Sequence, residues 1–80
     1  MKLQTAIGAT VRKIRTEQGL SMREVAGRKY ISIGHWSEVE TGKKGVSSEL
    51  LECMANALDL TTVELLKEIY EYLEEHNGNL

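Results

Sequence analysis

Residues 21–42, SMREVAGRKYISIGHWSEVETG, decide the fold. They hold two helix starts and one stop. Ser21-Met22-Arg23-Glu24 is a capping box: the Ser21 hydroxyl can accept from the Glu24 amide while the Glu24 carboxylate reaches back. Val25 and Ala26 follow as an apolar face, so the spacing predicts a helix to about Lys29. Ser32 is a good N-cap for the next, with Trp36, Val39 and Glu40 one turn apart behind it. Gly42 suits the left-handed position that ends a helix. The link between the two segments is only Tyr30-Ile31, and short helices so joined must cross steeply.

Working outward, Leu3, Ala6, Ile7, Thr10, Val11 and Ile14 recur at helical spacing until Gly19 stops them. Lys43-Lys44-Gly45-Val46 reads as a loop. Ser47 or Ser48 then caps a helix carrying Leu50, Leu51, Met54, Ala55 and Leu58. Thr61-Thr62-Val63-Glu64 is a second capping box, opening a helix with Leu66, Ile69, Tyr70 and Leu73 that Asn77-Gly78-Asn79 ends. No alternating strand pattern or long repeat occurs. The expected fold is all-α with five short helices. Residues 1–60 form the unit around the crossed pair, and residues 61–80 form a C-terminal helix for dimerisation or partner binding.

Eighty residues allow one small domain, and 41% apolar residues exclude a disordered tail. The single Cys53 cannot form an intrachain disulfide, which suits a reducing compartment. Its helical spacing from Leu50 and Ala57 reads as a core thiol. No apolar run approaches a membrane span, and Met1–Thr5 lacks a signal-peptide block, so a cytoplasmic, nucleoid-associated protein is expected. His35 and His76 are far apart, no His/Cys/Asp cluster has ligand spacing, and the glycines form no phosphate loop. A protein that is not an enzyme, with no metal and no cofactor, is the expectation.

The charge is divided along the chain. Residues 1–46 hold nine Lys and Arg against four acids; residues 47–80 hold Lys67 against eight acids. The first part could meet a polyanion, and the second would have to face elsewhere. In the helix-turn-helix arrangement the second helix of the crossed pair enters a major groove while the first lies across the backbone. At 100° per residue, Ile33, Gly34, Ser37 and Glu38 point one way and Trp36 and Val39 the other.

From Ile7-Gly8 through Leu60 the sequence resembles the Cro/phage-repressor-like (XRE) helix-turn-helix family. Arg12-Lys13-Ile14-Arg15 to Gly19-Leu20-Ser21 looks like its RxxR…GLS opening, and Glu24-Val25-Ala26 like its ELA. Trp36–Gly42 matches ISxxExG, and Ser48-Glu49-Leu50-Leu51 through Ala57-Leu58-Asp59-Leu60 matches its following helix. Ser32–Glu40 and Ser47–Leu51 are similar to the actinobacterial regulators of Clp protease genes. The resemblance implies a lambda-repressor-like five-helix DNA-binding domain. It implies base contacts from Ile33, Gly34, Ser37 and Glu38. Phosphate or groove-edge contacts fall to Arg23, His35, Thr41, Lys43, Lys44, Ser47 and Ser48. Arg15 and Glu40 match a structural ion pair. The family often has Gln where Met22 stands, usually Gly where Tyr30 stands, and polar readers where Ile33 and Gly34 stand.

The groove-facing set offers no Arg, Lys, Gln or Asn, the side chains of strong bidentate readout. Selectivity is therefore expected from few contacts and DNA shape, with affinity mostly from phosphate. Glu38 reads equally as an acceptor from a cytosine amine or as a plain surface carboxylate, solvated or paired with a nearby basic residue, and Trp36 reads as core. Val63, Leu66, Ile69, Tyr70 and Leu73 make a stripe that either pairs with a second subunit or closes the monomer core. The expected function is a homodimeric regulator of transcription on double-stranded DNA. The alternative is a protein-interaction module that keeps the fold and works through the acidic C-terminal helix.

Overall fold

Every helix but the first starts on a hydroxyl. The computed structural model describes residues 1–77, in which α1 (Leu3–Glu17), α2 (Met22–Arg28), α3 (Ile33–Glu40), α4 (Ser48–Ala57) and α5 (Thr62–Asn77) follow in order. Ser21, Ser32 and Ser47 accept from the amides of Glu24, His35 and Leu50 at 3.0–3.1 Å. Thr61 accepts from Glu64, and both capping boxes close from the other side, Glu24 on the Ser21 amide and Glu64 on the Thr61 amide. The all-α class is as expected; Gly78 and Asn79, read as the end of the last helix, lie outside the described residues.

The connections are one joint used three times. Gly19, Tyr30 and Asp59 each sit in the left-handed region, with φ of 72°, 56° and 61°. Their amides donate three residues back, and the amides of the next residues, Leu20, Ile31 and Leu60, donate five back to Arg15, Ala26 and Ala55. This is the Schellman closure of a helix end. Leu20, Ile31 and Leu60 pack against the core as plugs, and the following Ser or Thr caps the next helix. Gly42, at φ 75°, ends α3 in the same way, with the Lys43 amide on the Glu38 carbonyl.

The core gathers Val11 and Ile14 from α1, Val25 and Ala26 from α2, Trp36 and Val39 from α3. It continues through Met54, Ala55, Ala57 and Leu58 into Leu65 and Ile69 of α5. Among the described residues α5 thus completes the core that the other helices start. Cys53 departs from the expectation. It is half-buried and outside the core, because the inward face of α4 is centred on Met54, Ala55 and Ala57, one residue further round. Among the described residues no helix is long and apolar enough to cross a membrane.

Candidate nucleic-acid interface

The placement of α3 is fixed from behind. Arg15 of α1 grips Glu40 with both ends of its guanidinium, Nε to Oε2 at 2.6 Å and Nη2 to Oε1 at 2.9 Å. Its Nη1 donates to the Leu20 carbonyl, so the same side chain braces the first joint. The Trp36 indole donates to Glu40 Oε2 at 2.6 Å. The two side chains of the pair are only 12% and 4% exposed. The hydrogen bond to Glu40 raises the Arg15 pKa above its ordinary value, against the opposing effect of burial. A bidentate pair with an added indole donor satisfies the buried carboxylate, which is what makes burying it tolerable.

Glycine does the rest. A Cβ at Gly8 of α1 would collide with the Val39 carbonyl oxygen and come within 2.8 Å of that of Glu40. The backbones of α1 and α3 thus meet directly. From the other side, the Gln4 amide donates to the Gly42 carbonyl at 2.7 Å, tying the end of α3 to the start of α1. Arg28 donates to the Ala57 carbonyl at 2.7 Å and holds α2 against α4. Neither Gln4 nor Arg28 carries a local sequence signal, since their partners lie 38 and 29 residues away.

With Trp36, Val39 and Glu40 turned inward, the opposite side of α3 is left to solvent. Ile33 and Gly34 are exposed, and His35, Ser37 and Glu38 are half-buried. Arg23 in the first turn of α2 is exposed, as are Thr41, Lys43, Lys44, Ser47 and Ser48. Three of these side chains already have partners: the Thr41 hydroxyl donates to the Ser37 carbonyl, the Ser47 hydroxyl caps α4, and Lys44 pairs with Glu38. Glu38 reaches Lys44 at 3.5 Å in an exposed ion pair, so its carboxylate has a basic side chain beside it. Such a pair adds little stability, but it partly masks a carboxylate that would otherwise repel phosphate.

On α5 the inward line is Leu65 and Ile69, with Leu73 packed at its margin. Ile69 is 4% exposed, so of the apolar stripe it belongs to the core. Val63, Leu66 and Tyr70 remain outside, at 67%, 50% and 61% exposure. A hydrogen bond to Glu74 raises the Tyr70 pKa. Between α1 and α5 lies a shallow groove of about 460 Å³, with Ile14 and Leu60 among its lining and Glu17, Glu64, Glu68 and Glu71 beside Lys67. That side repels a polyanion. Among the described residues no group of three or more His, Cys, Asp or Glu is placed to hold a metal ion.

Comparison with known proteins finds the same architecture. The helix-turn-helix domain family matches residues 6–68. The chain is 40% identical over 58 residues to the transcriptional regulator ClgR of Mycobacterium tuberculosis, a match spanning 72% of this chain and 52% of the relative. It thus spans about half the length of that curated relative. The crystal structure of the clp gene regulator ClgR from Corynebacterium glutamicum superimposes with a TM-score of 0.89 at 35% identity, over 98% of this chain and 83% of that one. The restriction-modification controller protein C.Esp1396I, a tetramer in complex with its natural 35-base-pair operator, gives a TM-score of 0.86 over 91% of this chain and 96% of that one. At 18% identity the last likeness is one of fold.

Proposed function

The chain belongs to the helix-turn-helix domain family, and from that premise we propose that it regulates transcription by binding double-stranded DNA as a homodimer, with α3 in the major groove. The observation that carries the reading is the contrast across α3. Its inner side is locked by Arg15, Glu40 and Trp36, and its outer side presents Ile33, Gly34, Ser37 and Glu38, with Ile33 exposed and open space over Gly34. Ile33 suits a thymine methyl, Gly34 allows close approach, and Ser37 can donate to either base edge. Arg23, His35, Thr41, Lys43, Lys44, Ser47 and Ser48 flank that surface and supply phosphate contacts, which fix register and affinity. Residues 61–80 supply the dimer surface through Val63, Leu66 and Tyr70, with Leu73 at the edge. Two subunits then read half-sites about one helical turn (~34 Å) apart. The protein works by binding and not catalysis, without a cofactor, in the cytoplasm at the nucleoid. The relatives named as transcriptional regulators support this reading.

A random duplex library, selected at two salt concentrations and sequenced, tests it. An enriched palindrome with half-sites one turn apart is the expected result. One observation favours a second reading: the outward set on α3 lacks Arg, Lys, Gln and Asn, while α5 exposes an apolar line among carboxylates. A protein-interaction module acting through α5 would show no duplex retention at either salt concentration.

A further inference from the structure

Tyr30 is out of keeping with the joint it occupies. Of the four left-handed residues that close α1 to α4, two are Gly19 and Gly42, and Asp59 belongs to a residue type that tolerates the conformation. A large L side chain does not, because its Cβ crowds the following carbonyl. The backbone bonds of the joint hold the turn, but among the described residues nothing packs on the side chain. The Tyr30 ring is 98% exposed, and the apolar plug of the joint is its neighbour Ile31. A strained residue whose side chain the fold does not use points to a use outside the fold.

Its place says which. Tyr30 stands two residues ahead of Ser32, the cap of α3, at the end of that helix from which exposed Ile33 and Gly34 lead off. A tyrosine there reaches further than Ser32, Ile33 or Gly34 can. We propose that Tyr30 is a DNA-contact residue: its phenol hydroxyl donates to a phosphate oxygen at the edge of the groove that α3 enters, with the ring against the adjoining sugar. This rests on the DNA-binding reading above. A tyrosine hydroxyl is among the neutral donors that position a protein on a duplex through phosphate. It strengthens binding without displacing a counterion.

The test uses the full chain and the duplex enriched from the random library, with Tyr30→Gly and Tyr30→Phe beside the parent. Tyr30→Gly relieves the backbone and raises Tm by about 4–8 °C. It weakens duplex binding about 10-fold, and leaves the slope of affinity against salt unchanged. Tyr30→Phe keeps the parent Tm and loses most of the same affinity. Tyr30→Gly binding as tightly as the parent at a higher Tm overturns the proposal and leaves the DNA-binding reading standing. A lower Tm for Tyr30→Gly overturns the premise that the fold does not use the ring. Parent-like binding by Tyr30→Phe overturns the phosphate hydrogen bond. A parent that binds no duplex overturns this inference together with the function it rests on.

Discussion

Helices α3 and α5 leave the same joint and present opposite surfaces. Each follows a left-handed residue, an apolar plug and a hydroxyl cap. Behind α3 stands a buried polar network, and its outer face carries short side chains beside a basic loop. Behind α5 stands plain apolar packing by Leu65 and Ile69, and its outer face carries Val63, Leu66 and Tyr70 among carboxylates. A helix that must be aimed is held by directional bonds, whereas one that has only to cover a core is held by area.

The comparison breaks most visibly at Arg15. Arg15→Ala leaves the Glu40 carboxylate buried with only the Trp36 indole, and is expected to destabilise the domain by about 3 kcal/mol in urea unfolding. A loss below about 1 kcal/mol, the scale of an exposed pair, would mean that α3 is held by area as well. Next comes Leu66→Glu, which puts a charge in the centre of the α5 line. Self-association should weaken by about 2 kcal/mol, roughly 30-fold in dimer dissociation by sedimentation, with the Tm of the dilute protein little changed. A parent protein that sediments as a monomer would remove the partner from the α5 side.

Smaller effects sharpen the contrast. Replacing Lys43 and Lys44 together by Ala should weaken all duplexes alike by about 10-fold and lower the salt slope by about 2. It also frees Glu38 to repel phosphate. At the joints, Asp59→Gly should stabilise the fold by up to about 1 kcal/mol without touching DNA binding, since glycine takes a left-handed φ freely. That variant isolates the shared backbone effect from whatever Tyr30 adds. The smallest effect is acid loss at the α2 cap. Hydrogen bonding from Ser21, chiefly its backbone amide, holds the Glu24 carboxyl below its ordinary range. Its stabilisation is therefore complete above the unfolded pKa and declines as pH falls through the folded one. A Glu24→Gln variant should show a shallower drop in Tm below pH about 4.

What could be read from the residues was whatever is local. The two capping boxes, the Ser32 and Ser47 caps and the Gly19 and Gly42 stops all act within a few residues, and each lies where spacing puts it. The face of α5 was harder. Periodicity marks Val63, Leu66, Ile69, Tyr70 and Leu73 as apolar, but only packing against α1 and α4 turns Leu65 and Ile69 inward and leaves Leu66 and Tyr70 out. Cys53 missed the core for the same reason, by one residue of rotation. Gln4 on Gly42, Gln18 on Leu58 and Arg28 on Ala57 were invisible, because a side-chain donor to a distant carbonyl leaves no pattern in sequence. The left-handed Asp59 was hidden too, since it is not the glycine that usually announces such a turn, whereas at Tyr30 the only signal was the glycine that the resembled family usually has there.

The bare contact at Gly8 bears on how such a domain changes over time. Where α1 crosses the end of α3 no side chain intervenes, so the tilt of α3 is set by main chain against main chain. Residues on the outward side of that helix take no part in the crossing. They can be exchanged without re-aiming it, as a cutting edge is swapped in a fixed holder. On the proposed DNA-binding reading, new preferences need substitutions only on that outward side, while a single methyl group added at residue 8 would tilt the whole helix at once.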